Sequence, residues 1–416
     1  MKRSRIICSI ITVIYIILSV AICLIALKSN FETESSIGAC EKLIYVGTFG
    51  ICVFSYIWVR NKLSKKMSNK ALSVKISKVY CYLYLAVIVL VSRFIMAYVL
   101  KNEEIIPLVS GFNMGLGSYL NYALGLYIGN QMYANVILNT ILVFVSSIVI
   151  KKVVLNITDN DMVATTTSLL YIFAPQSLWQ VNSYIRYNYN VLIVLVGIYA
   201  LLHIIDEVKN FNKKNNKYLI YSIVLGAIQS RDVIFGGSYI LWLFSMIIAS
   251  CTAMYIDVVH VLIPFKQKLN YKLKRLAEKI EKVNISKLVY VCGISLVLSG
   301  ITTCIYLALS SANNFSVFSV QNAVSVLGHS RSYYLVLIIT ALVFEIVAVI
   351  TKRKLDVKMY LIKLMFIVVA ILTFFTVDGV YASALFDTLL ILNMVMVICN
   401  IGYNREERIK LLNEKN

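Results

Sequence analysis

Charge is scarce in this chain, and histidine and proline are scarcer. Lys, Arg, Asp and Glu make up 14% of the 416 residues, against about 25% in an ordinary soluble domain. Three histidines, His203, His260 and His329, lie far apart without partners at ligand spacing, so the sequence offers no metal site. None of the nine cysteines forms a Cys-x-x-Cys pair. Cys8, Cys23, Cys52, Cys81, Cys251, Cys292, Cys304 and Cys399 fall in or beside apolar runs, and only Cys40 falls in a polar loop. A disulfide framework is therefore excluded, and no cofactor is called for. Three prolines and 17 glycines accompany no internal repeat and no low-complexity tract.

What the sequence has is hydrocarbon. Sixty per cent of its residues are hydrophobic, and runs near 20 residues recur from end to end. Each is long enough to cross a layer of about 30 Å as a helix. The expected fold is all-α, a polytopic membrane bundle. The opening MKRSR and the run IICSIITVIYIILSVAICLIAL are too long for a signal-peptide core and lack a small-residue cleavage site. They read as a first anchor whose basic end stays in the cytoplasm.

Spans are expected near 6–27, 43–59, 79–100, 132–150, 162–178, 189–205, 218–232, 234–256, 288–309, 333–351, 359–377 and 384–401. Those at 162–178 and 218–232 are short for a full crossing. With the first residues inside, the inner segments are 1–5, 60–78, 151–161, 206–217, 257–287, 352–358 and 402–416. They carry 32 of the 40 Lys and Arg residues. The outer side and span ends carry six, and Arg93 and Lys363 lie within spans. Short cytoplasmic loops hold most of the Lys and Arg of membrane proteins, so the bias sets the orientation. It also accounts for the net charge of +20 without any nucleic acid.

Residues 111–130, GFNMGLGSYLNYALGLYIGN, resemble a further crossing. A crossing there would turn the basic 257–287 loop outward, and Asn113, Asn121 and five glycines weaken it as a lipid-facing span. It reads instead as a helix in the outer interface, which leaves twelve spans and both termini inside. The inner stretch 265–282 places Leu269, Leu273, Leu276 and Ile280 at helical spacing among lysines. A helix on the anionic inner leaflet and a solvated connector both satisfy that pattern. The chain divides accordingly into 1–78, a membrane core at 79–260, the basic loop 261–287, C-terminal helices at 288–401 and a tail at 402–416.

Chemistry is expected where ionisable groups meet membrane or outer surface. Glu103 and Glu104, in KNEEIIPLVSGFN, lie outside, just ahead of the interfacial helix. There a carboxylate can serve as a general base or be a merely solvated loop residue. Intramembrane charges usually face a bundle interior and are paired. Arg93, about 10 Å below the outer end of its helix, can pair with Asp387 or snorkel to the interface. Glu345 and Lys363, at comparable depth on consecutive helices, read as a structural pair. Arg186, Arg231 and Arg331 are outer guanidinium groups. Arg231 follows a short span and is within reach of an outer-leaflet phosphate, while Tyr184, Tyr187 and Tyr189 read as an aromatic belt.

The order of RFIMAYVL, FNMGLGSYLNYALGLYIGNQMYANVILNTILVFVSSIVIKKV and SLLYIFAPQSLWQVNSYIRYNYNVLIVLVGIYALLHI resembles polyprenyl-phosphate-dependent membrane glycosyltransferases of the GT-C fold. Those enzymes are related to protein mannosyltransferases and aminoarabinose transferases. Gly125, Gly129 and Asn139 stand in its interfacial-helix pattern, Ala174–Pro175 at its span end, and SRDVIFG at its basic turn between spans. The resemblance covers about residues 79–260. It implies that an acceptor hydroxyl attacks a sugar carried on a polyprenyl phosphate at the outer leaflet, in cell-envelope assembly. Glu103 or Glu104 would be the base; Arg231, with Arg186 in reserve, would bind the lipid phosphate. The second-loop acid is missing from VNSYIRYNYN, and DGVYASALFD replaces a late E-x-x-RY pattern. The implied copy has thus lost or rearranged its transfer chemistry. A lipid-linked saccharide transporter, a polymerase and a non-catalytic subunit of a membrane complex are the competing readings.

Overall fold

A computed structural model describes residues 2–28, 36–66, 70–99, 123–174, 177–178, 185–209, 331–351, 357–375 and 385–401. Every regular element among these residues is a helix, and none is a strand. In chain order they are α1 (Lys2–Lys28), α2 (Ser36–Lys66), α3 (Lys70–Val99), α4 (residues 123–128), α5 (Gln131–Thr158) and α6 (Asp161–Ile172). Then come α7 (Ile185–Lys209), α8 (Arg331–Ile350), α9 (Val357–Phe375) and α10 (Leu385–Ile401). Among the described residues three stretches are long and apolar enough to cross a membrane: Val79–Tyr98 in α3, Met132–Thr158 in α5 and Tyr333–Ile350 in α8. By that length and composition the chain is a helical membrane protein. The spans expected at 218–232, 234–256 and 288–309, and the 265–282 stretch, lie outside the described residues.

Helices overrun the expected spans at their ends. Cys40 was expected in a loop, but α2 begins at Ser36. Likewise α5 continues through Lys151 and Lys152 to Thr158, so most of the expected 151–161 loop is helix. The apolar residues Val153 and Val154 follow the lysines and are fully buried, which gives the helix a packing face beyond the charges. The segment expected to cross at 162–178 departs most. It is regular helix only to Ile172, turns at Phe173, and is helical again at 177–178.

The turns have local causes. Gly129, at φ +74, ends α4; glycine takes that left-handed conformation without a Cβ clash. Asn130 then caps α5, its Oδ1 accepting from the backbone N–H of Met132 at 2.9 Å and Tyr133 at 3.3 Å. Asp159, at φ +51, ends α5 and donates its N–H to Leu155 O at 2.9 Å. Asn160 caps α6 through Met162 N at 3.0 Å and Val163 N at 3.3 Å. The two-residue turn makes α5 and α6 a helical hairpin, tied across by Ser168 Oγ donating to Ser147 O at 2.9 Å.

One compact unit contains α2 to α6 with the start of α7; within it α5 packs on α6 and α3, and α2 on α3 and α6. A second unit contains α1, α8 and α9, with α1 packed on α8 and α9. In α3 the buried residues Cys81, Leu85, Val89, Arg93 and Met96 recur at helical spacing. Leu83, Val87, Leu90 and Phe94 are exposed on another face. Both faces are largely apolar, so against lipid the sorting is done by polar contacts and close packing more than by hydrophobic transfer. The polar contacts of that buried stripe mark the candidate site.

Candidate functional site at a broken helix

The stretch TTTSLLYIFAPQS, residues 165–177, contains the cause of the break. Pro175 has no N–H to offer Tyr171 O, and proline disfavours helical backbone in the residue before it. Ala174 N accordingly bonds back to Tyr171 O at 3.1 Å, a tighter three-residue closure, and Leu178 N resumes the four-residue pattern to Ala174 O at 3.0 Å. Carbonyls at the end of α6 are thereby released from the intrahelical ladder. Twelve residues advance about 18 Å, so the released carbonyls lie well beyond the exposed Asn160 cap. Irregular backbone at such depth is tolerated only where protein or a wet cavity satisfies it.

Arg93 satisfies it. Its side chain is completely buried. Nη2 donates to Ile172 O at 2.9 Å and to Ser177 Oγ at 2.6 Å, while Nη1 donates to Ser177 O. Nε is buried without a hydrogen-bond partner. Met96, Val136 and Leu178, with Ala97 and Phe173, close an apolar cluster nearby, and Phe49 meets Phe173 edge-on at 6.3 Å.

This corrects both sequence expectations for Arg93. It neither snorkels nor pairs with Asp387, which is itself buried in α10. The physical reason is that the end of a helix carries about half a negative charge on its unpaired carbonyls. A guanidinium fork reaches several of them at once. No carboxylate bonds to Arg93 among the described residues.

A second brace lies nearer the α5–α6 turn. Lys151 Nζ is 2.9 Å from Asp161 Oδ1 and donates to Cys81 Sγ at 2.6 Å. Arg60 Nη1 is 3.5 Å from Asp161 Oδ2. Thr165 Oγ1 lies 3.3 Å from Tyr56 OH and 3.4 Å from Cys81 Sγ, and Tyr56, Tyr80 and Tyr84 pack ring against ring. From Cys81 to Arg93 is twelve residues, and so is the interval from Thr165 to Ser177. The partner segments advance together through the break, held at both ends of a run of about 18 Å. Lys151 and Asp161 were not anticipated as site residues. The signal was present: Ser147, Lys151 and Val154 share one helical face, and Asn160–Asp161 is a helix-opening pair with an acid in the first turn.

In the other unit Lys363 and Glu345 come together. Nζ is 2.5 Å from Oε1 with both side chains buried, and the ammonium lies 5.1 Å from the Tyr15 ring and 5.6 Å from that of Tyr360. Asn393 Nδ2 donates to Tyr15 OH at 2.8 Å. Of the other expected site residues, Glu103, Glu104 and Arg231 lie outside the described residues. Arg186 stands in the first turn of α7. Among the described residues no group of three or more His, Cys, Asp or Glu could hold a metal.

Set against protein families, characterised proteins and solved structures, the chain matches none. The arrangement supplies a fixed positive charge and an anchored helix break; among the described residues no nucleophile–base pair stands beside Arg93.

Proposed function

We propose that the chain is a multi-pass protein of the cell membrane, with twelve spans and both ends in the cytoplasm. In this reading it handles a polyprenyl-phosphate-linked sugar at the outer leaflet during envelope glycan assembly. It acts as a GT-C-type glycosyltransferase or as a copy of one that has lost transfer. The observation that carries the reading is the position of two backbone breaks. Gly129–Asn130 opens α5, and α6 stops just before Pro175, both where the sequence resemblance expects a boundary.

In the active form an acceptor hydroxyl oxygen attacks the anomeric carbon and the bond from that carbon to the lipid-phosphate oxygen breaks. The hydroxyl proton passes to Glu103 or Glu104. Arg231, with Arg186, stabilises the departing phosphate. The test is reconstitution in vesicles with polyprenyl-phosphate sugars. Wild type should bind and transfer; Glu103→Gln or Glu104→Gln should lose transfer by roughly 100-fold or more while keeping donor binding, and Arg231→Ala should weaken both. Transfer that survives both glutamate changes removes them as base. No donor binding by wild type overturns the reading.

The broken helix also favours a second reading, a transporter of the same lipid-linked sugar, because discontinuous helices line the substrate paths of many transporters. Movement of donor across the vesicle bilayer without transfer would select it.

A further inference from the structure

We propose that the break in α6 is a cation seat that the chain fills with its own guanidinium, and that a seat emptied of Arg93 takes a free guanidinium ion in preference to an alkali-metal ion. The seat is made of Ile172 O, Ser177 O and Ser177 Oγ, all acceptors bonded to Arg93. A buried arginine normally requires a carboxylate or some other compensating negative charge. Here the described residues give Arg93 no carboxylate, and the compensation is the negative end of the α6 dipole with two carbonyls and a hydroxyl.

In broken-helix transporters, released carbonyls of this kind hold a sodium ion or a proton. A tethered cation at the same kind of position makes the break independent of ions in solution. The fork geometry decides the preference. Nη1 and Nη2 address carbonyls on opposite sides of the break, five residues apart in sequence, so a planar ion with several N–H donors fits the acceptors. The alkyl stem of Arg93 crosses the apolar packing of α3 between Val89 and Met96, both buried. The inference does not depend on the substrate, so it stands or falls separately from the lipid-linked sugar reading.

The experiment compares full-length wild type and Arg93→Ala in detergent, reading Tm with methylguanidinium chloride, sodium chloride or potassium chloride at equal ionic strength. Arg93→Ala should melt several degrees lower, and methylguanidinium should raise its Tm saturably, as a ligand of the folded state does. Sodium and potassium should leave it low, and wild type should not respond to any of the three. Recovery by sodium or potassium to the same extent, or no recovery by methylguanidinium, overturns the proposal; so does an Arg93→Ala Tm equal to wild type. Should Arg93→Ala not survive extraction, yield is read at solubilisation with either salt present. Yield restored by methylguanidinium alone supports the seat, and yield restored by neither overturns it. Ser177→Ala in the Arg93→Ala background should weaken the methylguanidinium response several-fold, and an unchanged response would also overturn the assignment.

Discussion

At the scale of single residues, the buried charges of this chain are handled in two different ways. Arg93 is met by backbone and a hydroxyl, Lys363 by a carboxylate. The Glu345–Lys363 pair has one loose end, since Glu345 Oε2 is buried without a partner. Removal of the ammonium therefore leaves a buried carboxylate with no compensation, which costs about 3–5 kcal/mol, whereas replacing both partners by apolar groups is often nearly neutral. Lys363→Met should accordingly be strongly destabilised in detergent unfolding, and Lys363→Met/Glu345→Leu should recover most of the loss. Recovery of less than about 1 kcal/mol beyond additivity would show that the pair contributes no coupling. This pairing was legible in the sequence because two opposite charges at equal depth on consecutive helices have few other solutions. The partners of Arg93 were not legible in the same way. Carbonyl oxygens carry no letter in a sequence, and only Pro175 marks where they are released.

At the scale of elements, the runs of apolar residues located most helices, while their ends were set by short-range chemistry outside those runs. Buried Val153 and Val154 carry the packing face past Lys151 and Lys152, which is why α5 reaches Thr158 rather than ending before Lys151. The stop is made by Asp159 and Asn160. Loss of an asparagine cap costs about 1 kcal/mol, so Asn160→Ala should lower unfolding free energy by that amount. Asp159 sits in left-handed backbone, which β-branched residues tolerate at a cost of about 1–2 kcal/mol. Asp159→Val should therefore destabilise the hairpin by that much and Asp159→Gly should be close to neutral. Equal effects of the two substitutions would mean that side-chain contacts of Asp159, not its backbone, hold the turn. The stretch 162–178, already short for a full crossing, is shortened further as a regular helix, since α6 ends at Ile172 ahead of Pro175.

At the scale of the whole molecule, the distribution of Lys and Arg has to agree with the parity of the helices. An odd number of crossings between any two basic loops would put one of them outside. Each such cation near an anionic inner surface contributes about 1 kcal/mol, and 32 of the 40 lie in segments of one proposed side. Reversing the orientation would move the whole set, and moving 111–130 across the bilayer would reverse every loop after it. The stop of α4 at Gly129 and the fresh cap at Asn130 permit the chain to turn between an interfacial segment and a crossing one. An epitope inserted among residues 265–282 should therefore be protected in intact cells and reached only after permeabilisation, while one inserted at 101–110 should be reached from outside. The opposite pattern at 265–282 with the 101–110 result unchanged would make 111–130 a crossing, or leave an odd number of the five spans expected between 132 and 256 uncrossed. With 111–130 as the crossing, Glu103 and Glu104 would keep their outer position, but Arg231 would change sides, and the pairing of an outer base with an outer phosphate-binding arginine would fail on geometry alone.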